Sequence, residues 1–345
     1  MHRRKQQHSP EPSLRSPPPS PPSPPPDDQM TQNNEQNFEA EHGGRYVSVW
    51  IAVLIILLSC CFSNSLHNEF AFDDGYAITG NDDSLARSHW SQLWVNDFWG
   101  QDITTEGSHK SYRPITVLSF RLNSLFHQYF EHHDWYEAFC TSTLNKNPLE
   151  PPERPVLRSE FFHIVNRMLH GTVSILIGLF FRRLCLMGKL SHVFGFIPLW
   201  VVASALFIIH PVHVEAVTGI VGRAELLCGL WMMIGLWFWS SIVLYTQQSI
   251  FKYLCIYIIT FICVVLAVLS KETGFALPVL YCGLLFLWNT KSLRDIFYLH
   301  RRFANKFLLF NTIFWGSTCV AYIVFRRWLT VHLSVLINRQ VCSFL

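Results

Sequence analysis

The sequence predicts an all-α polytopic membrane protein, and three observations support that prediction. Half of the 345 residues are hydrophobic and only 15% are charged, against roughly 25% charged residues in an ordinary globular protein. The mean hydropathy is +0.22, although the first 45 residues are polar and rich in proline. Seven apolar segments follow, and each has about the length that a membrane-spanning helix needs.

The N-terminal segment, residues 1–45, is predicted to be a disordered cytosolic tail. It contains SPPPSPPSPPP at Ser16–Pro26 and then a stretch rich in Gln, Asn and Glu. With so few apolar residues, this segment cannot offset the entropy that ordering costs. The proline run favours a polyproline II helix that could bind an SH3 or WW domain, and the alternative is an unbound tail.

The seven predicted spans divide the rest of the chain into helices joined mostly by short loops. They lie at 46–66, 161–181, 193–209, 226–246, 253–269, 272–289 and 307–325. The short loops on the side of the N-terminus contain nine Lys and Arg residues, and those on the other side contain two. Because positive residues favour the cytosol, the N-terminus is predicted to be cytosolic and loop 67–160 luminal.

The long first luminal loop, 67–160, contains two amphipathic helical patterns. The first comprises Trp90, Leu93, Trp94 and Phe98, and the second comprises Ile115, Leu118, Leu122, Leu125, Phe126 and Tyr129. Such helices fit the plane of the membrane interface. The alternative is a small subdomain in which these faces pack on each other.

Two classes of function are not favoured by the composition. The net charge of +3 is small and the basic residues are not gathered in one stretch, so nothing indicates nucleic-acid binding. The ten cysteines include no CxxC pair, which makes a structural zinc site improbable.

The best candidates for chemistry follow the first span, where Asp73 and Asp74 are adjacent. Neighbouring carboxylates repel each other, which raises one pKa and favours a general base. The alternative is a helix cap or a solvated turn. Farther on, Arg113 precedes the second amphipathic helix and could bind a phosphate in fork geometry. Its alternatives are a lipid anchor or an ion pair.

Two further luminal segments contain polar candidates. The first contains His210, His213, Glu215 and Arg223, whose spacing matches no known metal-ligand pattern, so polar lining of a cleft is the favoured interpretation. The second is the hairpin tip at Lys271 and Glu272. This charged pair could also be simply the water-facing end of the hairpin. All these clusters are predicted to face one compartment, as in a shared cavity that a polar-headed lipid could enter.

Six motifs, in this order, resemble one family closely. They are FAFDDGYAITGNDD (70–83), LWVNDFWG (93–100), SHKSYRPITVLSFRLN (108–123), FHIVNRMLHG (162–171), HPVHVEAVTGIVGRAEL (210–226) and SKETGF (270–275). From about residue 46 to 329, the chain resembles the endoplasmic-reticulum protein O-mannosyltransferases with transmembrane and tetratricopeptide repeats, the TMTC family.

The resemblance implies a GT-C-type glycosyltransferase with its active site on the luminal side of the endoplasmic reticulum membrane. It implies dolichyl-phosphate mannose as donor and Ser or Thr hydroxyls of cadherin-type domains as acceptors. Asp73 and Asp74 match the family's acidic pair, one of which would take the hydroxyl proton during a single inverting displacement. Arg113, with Arg223 or Lys271, would stabilise the departing phosphate. No metal and no cofactor is expected.

The chain is expected to correspond to the N-terminal membrane part of that family. Residues 330–345 diverge from the family pattern, and no 34-residue self-similarity of a tetratricopeptide array is present. Two alternatives to an active enzyme therefore remain. One is an inactive form that binds donor or partner and modulates a full-length enzyme, and the other is a lipid or sugar carrier, which usually shows inverted repeats.

Overall fold

The computed structural model describes residues 47–131, 157–186, 198–244, 249–288 and 306–342. These residues form helices and turns, with one isolated β-bridge between Asn96 and Asp102 and no named strand among them. Residues from Trp50 onward make up one compact unit, and all the contacts given below lie within it. The all-α polytopic prediction is confirmed, while the proline-rich tail, 1–45, lies outside the described residues.

The helices are named in chain order, with short turns of 3-10 helix left unnamed. They are α1 Val47–His67, α2 Pro114–Glu131, α3 Ser159–Leu186, α4 Leu199–Ile209, α5 Val214–Thr218, α6 Arg223–Leu244, α7 Ile250–Ser270, α8 Ala276–Trp288 and α9 Lys306–Cys342. The described residues include five stretches long and apolar enough to cross a membrane, namely Val47–His67, Ser159–Cys185, Ile220–Ile242, Ile250–Ser270 and Lys306–Leu329. About 20 residues suffice, because an α-helix rises 1.5 Å per residue.

Two of the seven predicted spans correspond to shorter helices among the described residues, and residues 193–197 of the third span lie outside them. Helix α4 has 11 residues and meets the helical segment Pro211–Thr218 at a bend of 47°. Pro211 lacks the N–H that a continuous helix would need. The sixth predicted span corresponds to the short apolar helix Glu272–Trp288. The predicted C-terminal tail, in contrast, continues α9 as far as Cys342.

Aromatic side chains form the centre of the bundle between α6, α8 and α9. Trp239, Tyr281 and Trp315 are each fully buried, and their ring centroids lie 4.7–5.5 Å apart. The Trp239 indole N–H donates to the backbone oxygen of Tyr281 at 3.0 Å, so its polar atom is satisfied. Helix α7 adds Tyr257, whose ring lies 5.7 Å from Trp239.

Helices α1, α3 and α4 pack against each other through one tryptophan. The Trp50 indole N–H donates to Ser204 Oγ on α4 at 2.8 Å. On α3, a Cβ added at Gly178 would lie 2.2 Å from the Trp50 ring. Only glycine therefore lets these two helices approach so closely.

The first loop folds into a packed unit rather than lying free. Its buried side chains Ile78, Leu93 and Phe98 form a cluster with Phe120 of α2 and Phe162 of α3. The first helical pattern is realised only as a 3-10 helix, Trp90–Trp94. After that helix has ended, Asp97 Oδ1 accepts the backbone N–H groups of Trp99 and Gln101, and such local bonds favour a turn over a helix around Phe98.

From Arg121 onward, helix α2 buries polar side chains and exposes apolar ones. Arg121, Ser124 and His127 are at most 3% exposed, whereas Phe126 and Tyr129 are 54% and 65% exposed. The Arg121 guanidinium donates to the backbone oxygen of Ser88 at 2.6 Å. One face of this part of α2 therefore packs inside the loop, and the other exposes an apolar stripe of the kind that suits a membrane interface.

Candidate active site

A cleft of about 750 Å³ lies where the first loop meets the segment between α4 and α6. The first loop lines it with Asn68–Asp74, and Arg113 lies at the start of α2. From the other side come Val212, Glu215, Ala216, Thr218, Gly219, Val221, Gly222, Ala224 and Glu225. The cleft is thus built from the same segments that the sequence marked as candidates for chemistry.

Asp74 is buried in the wall of this cleft and is 4% exposed. Its Oδ2 accepts the backbone N–H of Ala71 at 3.1 Å, and its Oδ1 accepts the backbone N–H of Val221 at 3.0 Å. Both carboxylate oxygens are therefore engaged by the backbone. The geometry makes Asp74 a positioning residue that fastens the first loop to the start of α6.

Asp73 differs from its neighbour in both exposure and bonding. Its side chain is exposed on the cleft, and it makes no hydrogen bond or ion pair within the described part of the chain. It follows Phe72, which is 97% exposed and has a left-handed φ of 48°. Such a conformation is uncommon for a non-glycine residue and often marks a functional site. Asp73 is thus positioned as an accessible proton acceptor.

Arg113 and Glu272, both candidates from the sequence, contact each other across 159 residues. Nε and one terminal nitrogen of Arg113 each lie 3.0 Å from Glu272 Oε2, and the guanidinium lies 5.1 Å from the centre of the Phe98 ring. The other oxygen of Glu272 lies 3.9 Å from Arg326. One carboxylate therefore faces two guanidinium groups.

Lys271 and Glu225 form a second ion pair at the edge of the cleft. The Lys271 ammonium donates to Glu225 Oε2, and the two side chains are 23% and 45% exposed. Glu225 lines the cleft, whereas Lys271 is not among the lining residues. Lys271 therefore neutralises the negative charge of Glu225 in the wall of the cleft.

Arg223 lies inside the protein and is fully buried. It donates to Asn166 Oδ1 at 2.8 Å, to Asn123 Oδ1 at 2.9 Å and to the backbone oxygen of Phe162 at 3.0 Å. Its guanidinium also lies over the ring of Phe120 at 4.8 Å. These contacts join α2, α3 and α6, so the geometry favours a structural role and directs no donor of Arg223 into the cleft.

The three candidates in the segment after α4, namely His210, His213 and Glu215, have different surroundings. His210 Nδ1 accepts the backbone N–H of Val212, and His213 lies 4.1 Å from the ring of Phe207. Neither histidine is among the cleft-lining residues, but Glu215 is, and its side chain is exposed. In the described residues, no group of three or more His, Cys, Asp or Glu could hold a metal ion. The expectation that the reaction needs no metal stays a prediction.

The cleft is acidic overall. Its lining contains five carboxylates and one arginine, and that arginine already faces Glu272. Carboxylates accept hydrogen bonds from hydroxyl groups but disfavour a second anion nearby. The cleft is therefore suited to sugar or Ser/Thr hydroxyls and less suited to a phosphate.

Comparison with known proteins finds relatives that all have the name Protein O-mannosyl-transferase. The chain is 36% identical to mouse Protein O-mannosyl-transferase TMTC4 over 190 residues, which is 54% of this chain and 22% of that protein. Identity to human Protein O-mannosyl-transferase TMTC3 is 36% over 53% of this chain and 16% of that protein. For Protein O-mannosyl-transferase F38B6.6 of Caenorhabditis elegans, it is 32% over 67% of this chain and 27% of that protein.

Over about half to two thirds of its length, the chain is similar to proteins of the TMTC family. The chain spans about a fifth of the length of the TMTC relatives that it matches. No family model matches the chain. No solved structure matches it.

Two charged residues at these sites were not among the sequence candidates. Glu69 lines the acidic cleft four residues before Asp73, and Arg326 faces Glu272 from α9. The sequence did contain a signal for the second, because paired arginines at 326 and 327 end the last apolar segment.

Proposed function

We propose that this chain is the membrane part of a protein O-mannosyltransferase, with its cleft on the luminal side of the endoplasmic reticulum membrane. The similarity to TMTC proteins that are named protein O-mannosyl-transferases supports mannosyl transfer. One observation within the structure supports it most directly: Asp73 is an exposed carboxylate of the cleft, beside a partner carboxylate that is buried and fully bonded.

In the proposed reaction, Asp73 takes the proton of an acceptor Ser or Thr hydroxyl as that oxygen forms a bond to C1 of mannose. The bond between C1 and the phosphate oxygen breaks, and its electron pair leaves with dolichyl phosphate. One displacement inverts the configuration at C1. Asp74 holds the loop in place, and Glu215 faces the incoming acceptor. We propose cadherin-type domains as acceptors.

The first test is sugar transfer by the full chain. It is expressed in cells that lack the family's enzymes, and a secreted cadherin extracellular domain is weighed intact for added hexose. Wild-type protein is expected to add hexose, and Asp73→Asn is expected to lower the yield at least a hundredfold, since general-base catalysis contributes about 10²- to 10⁴-fold.

The matched control is Asp82→Asn, which removes an exposed carboxylate of the same loop that does not line the cleft. This variant is expected to transfer hexose at the wild-type level. Unmodified cadherin from a wild-type chain that is expressed and inserted in the membrane would overturn the proposal. Equal transfer by the Asp73→Asn variant would remove Asp73 from the mechanism.

A further inference from the structure

A second, smaller cavity lies beside the acidic cleft. Its volume is about 340 Å³, and it lies between the turn that precedes α8 and the end of the membrane-spanning part of α9. Its lining consists of Glu272, Thr273, Phe275, Tyr322, Ile323, Arg326 and Arg327. Two arginines and one glutamate make this cavity positive, in contrast to the cleft.

Arg326 is held in place by protein contacts. One terminal nitrogen donates to the backbone oxygen of Lys110 at 3.1 Å, and the other lies 3.9 Å from Glu272 Oε1. The side chain remains 27% exposed, and the neighbouring Arg327 is exposed. A fixed guanidinium next to a second one forms a favourable site for a phosphate, because arginine donors match phosphate oxygens in pairs.

The rest of the cavity wall is apolar. The rings of Phe275 and Tyr322 stack with centroids 5.9 Å apart and an angle of 14°. On the surface of α9, Val320, Ile323 and Val324 are 51–60% exposed and belong to a helix apolar enough to lie in a bilayer. A molecule with a phosphate at the arginines could therefore continue as a hydrocarbon chain along α9.

Glu272 connects this cavity to the acidic cleft. Its Oε2 binds Arg113, which lines the cleft, and its Oε1 faces Arg326, which lines the smaller cavity. A phosphate bound at Arg326 would thus lie next to the cleft without entering its acidic interior. A sugar attached to that phosphate could reach the carboxylates.

We propose that the smaller cavity binds the phosphate of the lipid-linked sugar donor through Arg326 and Arg327, with the isoprenoid chain along α9. This inference rests on the proposed function, since it assigns the donor's phosphate to the smaller cavity and its sugar to the cleft. Arg113 and Glu272 then act as positioning residues between the two, and Arg223 and Lys271 have no direct contact with the phosphate.

Binding is measured on the purified full chain in phosphatidylcholine nanodiscs, with a fluorescent short-chain polyisoprenyl phosphate that carries no sugar. The double variant R326Q/R327Q is expected to weaken binding at least about tenfold, because each lost charge-assisted contact costs roughly that factor or more. The matched control is Lys306→Gln, which removes an exposed cation from the other end of α9 and is expected to leave binding within twofold. Asp73→Asn is expected to bind like the wild type.

Competition distinguishes the sources of the phosphate. Unlabelled dolichyl phosphate is expected to displace the probe, whereas the same concentration of phosphatidic acid or inorganic phosphate is expected to leave it bound. Equal displacement by phosphatidic acid would overturn the inference in favour of a bilayer anchor. Unchanged binding by R326Q/R327Q would also overturn it.

A charge-conserving variant and the transfer assay complete the test. The variant R326K/R327K keeps both charges and is expected to retain more binding than R326Q/R327Q, and equal losses in the two would contradict the assignment. In the hexose assay, R326Q/R327Q is expected to raise the KM for donor more than it lowers kcat. Normal transfer at low donor by this variant would refute the inference but not the function. If probe binding depends on Arg326 and Arg327 but the wild-type chain transfers no hexose, the proposed transferase function is refuted and the phosphate site is not.

Discussion

Asp74 Oδ1 accepts a 3.0 Å hydrogen bond from the backbone N–H of Val221, although 147 residues separate the two along the chain. This bond joins the loop after α1 to the segment that begins α6. It also buries one member of an adjacent carboxylate pair and leaves the other, Asp73, exposed on the cleft. The two acidic residues therefore have different environments and different expected responses to substitution.

The substitution Asp74→Asn is expected to reduce both stability and transfer. The amide keeps only one acceptor oxygen, so one backbone N–H loses a charged acceptor and faces the new NH₂ group. The free energy of unfolding should fall by about 1.5–3 kcal/mol. Thermal unfolding of the purified chain measures this, with Asp73→Asn as the control that keeps the wild-type midpoint. Equal midpoints for the two variants would contradict the division of roles.

A methyl group at Gly222 is expected to deform the cleft. A Cβ there would lie 2.6 Å from both the Cα and the backbone oxygen of Ala216, and backbone atoms cannot move aside as a side-chain end can. Gly222→Ala should therefore lower the unfolding temperature and the transfer rate. Gly283→Ala on α8 is the control, because nothing lies within 4 Å of that Cβ position and alanine is the better helix former. If both variants unfold at the wild-type temperature, the close approach at Gly222 does not affect stability, and the prediction is wrong.

Arg223→Lys is expected to destabilise the fold even though the charge is retained. A lysine ammonium is a point charge and cannot replace a planar guanidinium that bonds Asn123, Asn166 and the backbone of Phe162. Several buried acceptors would lose their donors, with a cost of about 3 kcal/mol. The measured quantities are the unfolding temperature and the donor-binding constant of protein that remains folded. A stable variant with weakened donor binding would instead indicate that Arg223 contacts the donor.

The ion pair between Lys271 and Glu225 is expected to contribute little to stability. Both side chains are partly exposed, and exposed pairs contribute about 0–1 kcal/mol. A double-mutant cycle with Lys271→Gln and Glu225→Gln should give a small coupling energy for unfolding. The same cycle on donor binding is the sharper measurement. A loss of binding in Lys271→Gln that Glu225→Gln does not share would identify the lysine as a direct phosphate ligand.

Acid is expected to destabilise the loop unit through His127. The pKa of His127 is lowered to about 4, chiefly by burial and also by the nearby Arg158, while Glu160 opposes the shift. Because the unfolded pKa is about 6.5, the unfolded chain binds more protons between pH 4 and 6.5. The stability contributed by neutral His127 is therefore complete above pH 6.5 and is lost as the pH falls towards 4.

Thermal unfolding at pH 7 and pH 5 tests this pH dependence. His127→Asn should show a smaller drop in unfolding temperature between the two pH values than the wild type. His67→Asn serves as the control, because His67 is exposed at the end of α1 and should leave the drop unchanged. A wild-type-sized drop in the His127→Asn variant would assign the acid sensitivity to other groups.

Sequence alone predicted the parts of this protein that depend on local pattern. Apolar length predicted the five stretches that are long and apolar enough to cross a membrane, and the 3.6-residue period predicted α2. It could not predict that Asp74 is buried and Asp73 exposed, because that difference depends on Val221. Nor could it predict the burial of Arg223, whose acceptors Asn123 and Asn166 come from two other helices. The spacing at Trp90–Phe98 looked helical, but Asp97 bonds the backbone N–H groups of Trp99 and Gln101, which favours a turn over a helix around Phe98.

The reversed polarity of the second half of α2 has a consequence for the surroundings that this protein needs. A unit that keeps Arg121 and His127 inside and turns Phe126 and Tyr129 outward is complementary to lipid and would aggregate if it were cut out and placed in water. Under the proposed function, this exposed apolar face would hold the loop that carries Asp73 at the surface of the bilayer. An acceptor polypeptide would then have to present its hydroxyl close to the lipid headgroups, and an exposed stretch of chain would meet that requirement more easily than the interior of a rigid domain.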